Sequence, residues 1–430
     1  MFRIAVLFLF CGCVFAKYEI YDGHALYKVN IESEIHAEVL NNLESKHNLD
    51  FWQRAAPGYD AVVLVPKQYR FLLDIALLFN GIKFKVEVDN VKPFLDEENH
   101  LLTEASRRNS GIGRNGALTF NKIHSYEEVD LFLEILARLY PNLVTVVNAG
   151  RSFQRRNIKY IKISTTDFKD HRKPVIFVQS LLHARDWVTL PASLYTIHKL
   201  IIDITERDLV EKIDWIILPI ANPDGYVASR RNERFWHKNR ATSYSFLTIC
   251  RGVDLNRNFG FDWGNTSSNF ACSEVFHGRR AFSEPETRII KTILDQYVRR
   301  MEMFIDIHSF GSMILYGYGT GELPANALTL QVAGVNMAQA IDSVKRPYNK
   351  DYTVGNFALV LNKASGTCSD YAQAIGVPLA YTFKLPGFRF GFDTALGFLV
   401  HPDFIEQAGI ETWEGIKSGA QFVLRVVGQA

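Results

Sequence analysis

"VIFVQSLLHARDW", residues 175 to 187, opens on an unbroken apolar run and closes on His183, Arg185 and Asp186. A short continuous apolar run fits a strand covered on both faces, as in a parallel sheet. In such sheets sites form just beyond the strand ends. The pattern repeats. "DWIILPIANPDGY" ends in Asn222-Pro223-Asp224-Gly225, and "MFIDIHSF" ends in His308 and Ser309. "YIKIST" and "LAYTFKL" are further strand candidates. Helical stretches alternate with them: "WVTLPASLYTIHKLII", "EPETRIIKTILDQYV", "LTLQVAGVNMAQAI", "CSDYAQAIG" and "ETWEGIKSGAQFVLRVV". This order predicts an α/β domain with a doubly wound, mixed and mostly parallel sheet, helices on both faces. It starts at "HSYEEVDLFLEILARLYPN", where Ser125 and Glu128 make a capping box and Val129, Phe132, Leu133 and Leu136 form one helical face. No internal repeat is present.

Residues about 20 to 97 predict a separate, small α+β open sandwich. "HALYKVNI", "AVVLVP" and "IKFKVEVDNV" read as strands; "SEIHAEVLNNLES" and "PKQYRFLLDIALLFN" read as helices. The unit has no constellation of His, Cys and carboxylates. The stretch "LTEASRRNSGIGRNGALT" that follows is polar and rich in Gly and Ser, and holds Arg107-Arg108 and Arg114. Exposed segments of this kind attract proteolysis, here by a trypsin-like enzyme, unless the segment is a plain hinge. "MFRIAVLFLFCGCVFA" has the basic start, apolar run and small-residue end of a secretory signal. The expected organisation is a signal at 1–16, a small domain at 17–100, a cleavable linker at 101–116 and the α/β domain at 117–430.

The 430 residues are 47% hydrophobic and 22% charged, with net charge +2. That composition is ordinary for a globular chain and gives no reason to expect nucleic acid as a partner. No stretch after the signal is long and apolar enough to span a bilayer. The expectation is a secreted monomer. Cys11 and Cys13 leave with the signal. An oxidising compartment favours a Cys250–Cys272 bridge, which closes a loop of ordinary size. Cys368 is then a buried free thiol. Asn265-Thr266-Ser267 is a glycosylation acceptor.

His183, Asp186 and His308 offer two imidazoles and a carboxylate, and three protein ligands with an open position are the catalytic zinc pattern. Asn256 and Arg257 in "CRGVDLNRNFGF" offer an amide and a forked cation suited to a carboxylate. Together with "RFWHKNR", "FHGRRAFSEPETR", "DIHSFGSMILYGYG" and "KASG", these stretches resemble the secreted zinc carboxypeptidases of the A/B type. The resemblance covers nearly the whole chain. It implies a pro-segment released by cleavage, zinc as cofactor, hydrolysis of the last peptide bond, and peptide or protein C-termini as partners, with a protease inhibitor among them.

Carried over residue by residue, the resemblance assigns the metal to His183, Asp186 and His308, and support of His183 to Asp254. It assigns substrate binding to Arg185, Arg234, Asn256, Arg257, Asn362 and Ser369. Here the chain departs from the pattern. Asp186 replaces a glutamate, an arm shorter by about 1.5 Å. Asn362 replaces a capping tyrosine. Ser369 stands where an aliphatic or acidic pocket residue is expected. His237 stands at the oxyanion arginine, where a protonated imidazole is a partial substitute. Lys384, in "LAYTFKL", stands at the glutamate that accepts a proton from water. Replacing base, oxyanion donor and cap together implies absent or very weak peptidase activity with carboxylate binding retained. The alternative is an active zinc enzyme with unusual residues.

Overall fold

The computed structural model describes residues 17–427 apart from 48, 55–56, 109–116, 243, 245–249 and 388–395. The expected signal lies outside the described residues.

Near the N-terminus the chain runs β1 (Ala25–Asn30), α1 (Glu34–His47), β2 (Asp50–Gln53), β3 (Asp60–Val65), α2 (Arg70–Phe79) and β4 (Phe84–Val88). The strands form an antiparallel sheet in the order β2-β3-β1-β4. Side chains alternate across it. Tyr27, Val29 and Val63 pack on Leu40 of α1 and Leu73 and Leu77 of α2. Leu26, Val62 and Leu64 point the other way, onto Phe235, Leu396 and Phe398 of the larger domain. β2 is absent from the expected strands because only Phe51 of its four residues is buried.

α3 (Lys92–Arg108) then leaves the small sheet. This corrects the linker expected to begin at residue 101. No Gly or Pro interrupts residues 94 to 108, and good helix formers there outweigh the polar character.

The larger domain begins with α4 (Tyr126–Leu139), whose capping box forms: the Glu128 amide donates to Ser125 Oγ and the Ser125 amide to Glu128 Oε2. β5 (Val144–Arg151), β6 (Asn157–Ile163), β7 (Val175–Ser180), α5 (Thr189–Ile201), α6 (Arg207–Glu211), β8 (Asp214–Leu218) and α7 (Pro223–Arg231) follow. After a long loop come α8 (Pro285–Tyr297), β9 (Met301–Ser309), β10 (Met313–Tyr316), α9 (Ala327–Asp342) and β11 (Thr353–Asn356). α10 (Phe357–Val360), α11 (Cys368–Ala374), β12 (Leu379–Leu385) and α12 (Pro402–Val427) complete the chain.

Eight strands pair in the order β11-β10-β12-β9-β7-β8-β6-β5. The central run β12-β9-β7-β8 is parallel throughout. Antiparallel pairs β12–β10, β8–β6 and β6–β5 flank it, and β10–β11 is parallel. One face carries α4, α5, α9 and α12 through Leu133, Leu194, Met337 and Ile416. The other carries α8 and α11 through Ile290, Leu294 and Ala372. The mixed, mostly parallel sheet covered on both faces is the architecture the alternation predicts.

Candidate active site

The parallel strands β7 and β9 deliver their ends to one place. His183 and Asp186 lie in the turn after β7, and His308 is the penultimate residue of β9. His308 Nδ1 lies 3.1 Å from His183 Nδ1. Asp186 Oδ2 lies 3.7 Å from His183 Nδ1 and 3.4 Å from His308 Nδ1. Tetrahedral zinc with bonds of about 2.0–2.1 Å sets its donors roughly 3.3 Å apart. The three donors therefore fit zinc, and the shorter aspartate arm reaches. The Ser309 amide donates to the same Asp186 oxygen at 3.1 Å and steadies it.

Both imidazoles are held from behind. His183 Nε2 lies 3.2 Å from Asp254 Oδ1, and His308 Nε2 lies 2.8 Å from Asp306 Oδ2. A proton on each Nε2 leaves the Nδ1 lone pairs facing inward, the arrangement usual for ligating histidines. Burial alone would raise the Asp186 carboxyl pKa, but His183 and His308 outweigh it and hold the group well below the carboxylate range.

His237 lies against this cluster. Its ring packs on His183 with centroids 4.0 Å apart, and its Nε2 is 3.3 Å from Asp254 Oδ2. Burial, then the neighbouring His183, pushes its pKa down to about 3. The imidazole is neutral, so the cationic substitute for the oxyanion arginine is lost.

In β12, Tyr381, Phe383 and Leu385 enter the core while Thr382 and Lys384 face a cavity of about 480 Å³. Lys384 is paired in register with His308. Burial lowers its amine pKa; Asp186 opposes that, and Arg185 and Arg257 reinforce it.

Arg257 sits in a tight turn that Asp254 caps by accepting the Asn256 amide at 2.9 Å. Its Nη1 donates to the Asn256 carbonyl at 2.7 Å, and Asp254 is 4.0 Å away. Asn256 accepts the Cys368 amide at 2.8 Å through Oδ1. Only glycine fits at 366, where φ is +66° and a Cβ would stand 2.5 Å from the Arg257 carbonyl oxygen. That approach joins the "KASG" loop to the arginine turn.

The other two arginines are occupied by the small domain. Arg185 Nη1 donates to both Asp50 oxygens at 2.8 and 2.6 Å. Arg234, fully buried, donates to Glu98 through Nε at 2.7 Å and Nη2 at 3.0 Å. Asn362 Nδ2 donates to the Arg54 carbonyl at 3.4 Å. Ser369 does not line the cavity; it is buried behind Thr382, whose hydroxyl donates to its Oγ at 2.9 Å. Away from the site, Cys250 and Cys272 form a disulfide, Cys368 is a buried free thiol, and Asn265 is exposed.

The sequence reading missed Asp306, Asp50, Glu98 and Glu274. Asp306 was signalled by its place two residues before His308, on the same strand face. Glu274 lines the cavity, and burial raises its pKa to about 7 against the pull of Lys238.

Residues 129–415 match the zinc carboxypeptidase family, and residues 27–98 match the carboxypeptidase activation peptide. The chain belongs to the zinc carboxypeptidase family. Zinc is the family's metal. Carboxypeptidase B of Helicoverpa zea is 44% identical, covering 97% of this chain and 98% of that protein. Zinc carboxypeptidase A 1 of Anopheles gambiae is 31% identical, covering 92% of this chain and 88% of that protein. The solved carboxypeptidase A of Helicoverpa armigera superposes with a TM-score of 0.91 at 55% identity, covering 95% of this chain and 99% of that one. This carboxypeptidase-family chain thus pairs an activation domain with a donor set that fits zinc.

Proposed function

We propose that the chain is a secreted pro-carboxypeptidase homologue that holds zinc and the C-terminal carboxylate of a peptide, and hydrolyses the last peptide bond very weakly or not at all. Lys384 carries this reading. It faces the cavity beside His308, where hydrolysis needs a carboxylate to take a proton from water. A lysine side chain stands in place of that carboxylate, and general bases typically contribute 10²–10⁴-fold. When bound, zinc supplies Lewis-acid polarisation of a carbonyl and of water. His183, Asp186 and His308 would hold it. The neutral His237 removes a cationic oxyanion donor, a loss of order 10²–10³ where such donors have been deleted.

Binding is better supported than turnover. Arg257 meets Asp254 at 4.0 Å, the long end of an ion pair, and Asn256 stands beside it. Arg185 and Arg234 become available once Asp50 and Glu98 leave with the activation domain. A trypsin-like cut in the linker would release that domain. The N-terminal signal pattern and the disulfide support secretion. Asn265 is an exposed acceptor for a glycan.

Glu274 favours the alternative, an active enzyme. Its carboxyl, raised to about 7 on the cavity wall, is a poised proton acceptor. One experiment decides. The protein is nicked in the linker, supplied with zinc and given a mixed peptide library, and free amino acids are measured over hours. No release, with peptides retained in an equilibrium binding assay, is expected. Chelator-sensitive release that Glu274→Gln abolishes would establish the alternative.

A further inference from the structure

The helix α2 of the small domain buries only one side. Leu73 and Leu77 enter the core beneath it. Phe71, Leu72, Ile75, Leu78 and Phe79 all stand exposed, Phe71 at 72% and Phe79 at 88%. At 3.6 residues per turn these five side chains share one continuous face about 120° wide. Arg70 and Asp74, the helix's two charged residues, fall outside it, and Arg70 Nη1 donates to the Asp89 carbonyl at 3.1 Å. A helix this apolar all round is ordinarily buried on every side. Here α2 packs on the face of the small sheet that points away from the larger domain, so that domain does not cover it.

The stretch that carries this face, "FLLDIALLF" at residues 71 to 79, reads nearly the same from either end. Phe71 mirrors Phe79 and Leu72 mirrors Leu78, with Ile75 at the centre. The exposed set is symmetric about Ile75 both along the helix and around it. A second α2, packed antiparallel with its two-fold axis at the level of Ile75, therefore covers the whole face. Phe71 then lies across from Leu78 of the second copy and Leu72 across from Phe79, a larger side chain against a smaller one. Ile75 meets its own copy, and no charge is buried. Two-fold contacts are isologous in this way, one patch serving both subunits. Each helix N-terminus also comes beside the C-terminus of the other, where the macrodipoles attract. The five side chains present roughly 500–600 Å² per copy, on a scale of 150–250 Å² for one aromatic residue. Both copies together reach the roughly 1,000 Å² that a specific interface needs. A lipid surface is matched less well: Lys83 and Lys85, which follow α2, are paired with Glu32 and Glu87 and offer little to anionic headgroups.

We propose that the uncleaved chain forms a two-fold dimer through α2, the two helices antiparallel and Ile75 of one copy on Ile75 of the other. The occupant of the apolar face is thus a second copy of this chain, in place of the monomer expected from the sequence. The face belongs to the activation domain. Release of that domain leaves the larger domain without the contact, so dimerisation marks the uncleaved form.

The test is sedimentation equilibrium of the full-length, uncut protein at concentrations up to about 100 µM, since an interface of this size holds in the micromolar range. A monomer–dimer equilibrium is expected. Ile75→Asp and Ile75→Lys each set like charges face to face at the axis, and each is expected to weaken the dimer at least about tenfold. An equimolar mixture of the two variants is expected to dimerise again, because an aspartate then meets a lysine. Ile75 is exposed in the single chain, so neither substitution enters the core. A wild type that stays monomeric throughout would overturn the proposal. So would a dimer indifferent to both substitutions, or a mixture of the variants that remains monomeric. Monomeric protein that co-sediments with vesicles of phosphatidylcholine and phosphatidylserine, and loses that in Ile75→Asp, would give the face to a lipid surface instead and overturn it as well.

Discussion

Asp306 shows how a single side chain sets the metal site. It is fully buried, accepts from Gln179 Nε2 at 2.9 Å through Oδ1, and meets His308 Nε2 at 2.8 Å through Oδ2. With Oδ1 already taken by the glutamine donor, Asp306→Asn turns its amide NH₂ toward His308 Nε2. The imidazole then favours the tautomer with its proton on Nδ1, where the metal lone pair is needed. Zinc affinity is expected to fall about 10–100-fold, the usual cost of losing such a partner. Competition with a chromophoric chelator measures it. Unchanged zinc retention would mean that Asp306 only fills space. The candidate ligands stood out in the sequence because each lies at or just past a strand end. Asp306 did not, because inside an apolar strand it reads as an interruption. Alternation in "LAYTFKL" sets Lys384 apart from Tyr381, Phe383 and Leu385 but does not say what it faces, and the neutral state of His237 was not legible at all: it depends on burial against His183, a contact between distant segments.

At the scale of elements, long periodic segments were readable and short edges were not. The central strands β7, β8, β9 and β12 are apolar runs, since the sheet is covered on both sides. β10 and β11, four residues each, carry too little pattern to stand out. β2, which brings Asp50 to Arg185, was missed for the same reason. α3 shows a propensity effect that composition hid. A protease takes its substrate extended, so a cut after Arg107 or Arg108 must first unravel the last turn of a helix running from Lys92 to Arg108. Limited trypsin digestion is therefore expected to cut first after Arg114, giving a large fragment that begins at Asn115. Arg107→Gln with Arg108→Gln should leave the rate of that first cut unchanged. Sequencing the new N-terminus is the check, and a fragment that starts at Asn109 would show that the end of α3 opens readily.

For the whole molecule, the question is what holds the activation domain once the linker is cut. Leu26, Val62, Leu64 and Val88 form one apolar cluster with Phe235, Leu396, Phe398 and Leu399 across the interface. Each well-buried side chain of this kind contributes roughly 1.5–3 kcal/mol, and salt does not screen it. Glu98 adds specificity. It accepts from Arg234 Nε and Nη2 and from the Val400 amide at 2.7 Å, in a pair with no exposed surface. Removing one member of a buried pair costs about 3–5 kcal/mol, because the survivor keeps its charge without compensation. Here the survivor, Arg234, regains water only if the domain leaves. The nicked wild-type protein should thus keep its activation domain in about 1 M salt, where the Debye length is about 3 Å and exposed pairs are screened. Nicked Glu98→Ala should shed it. Gel filtration of both in high salt decides the point. Loss of the domain from the wild type under those conditions would assign its retention to exposed pairs, and Glu98 would then be only one contact among many.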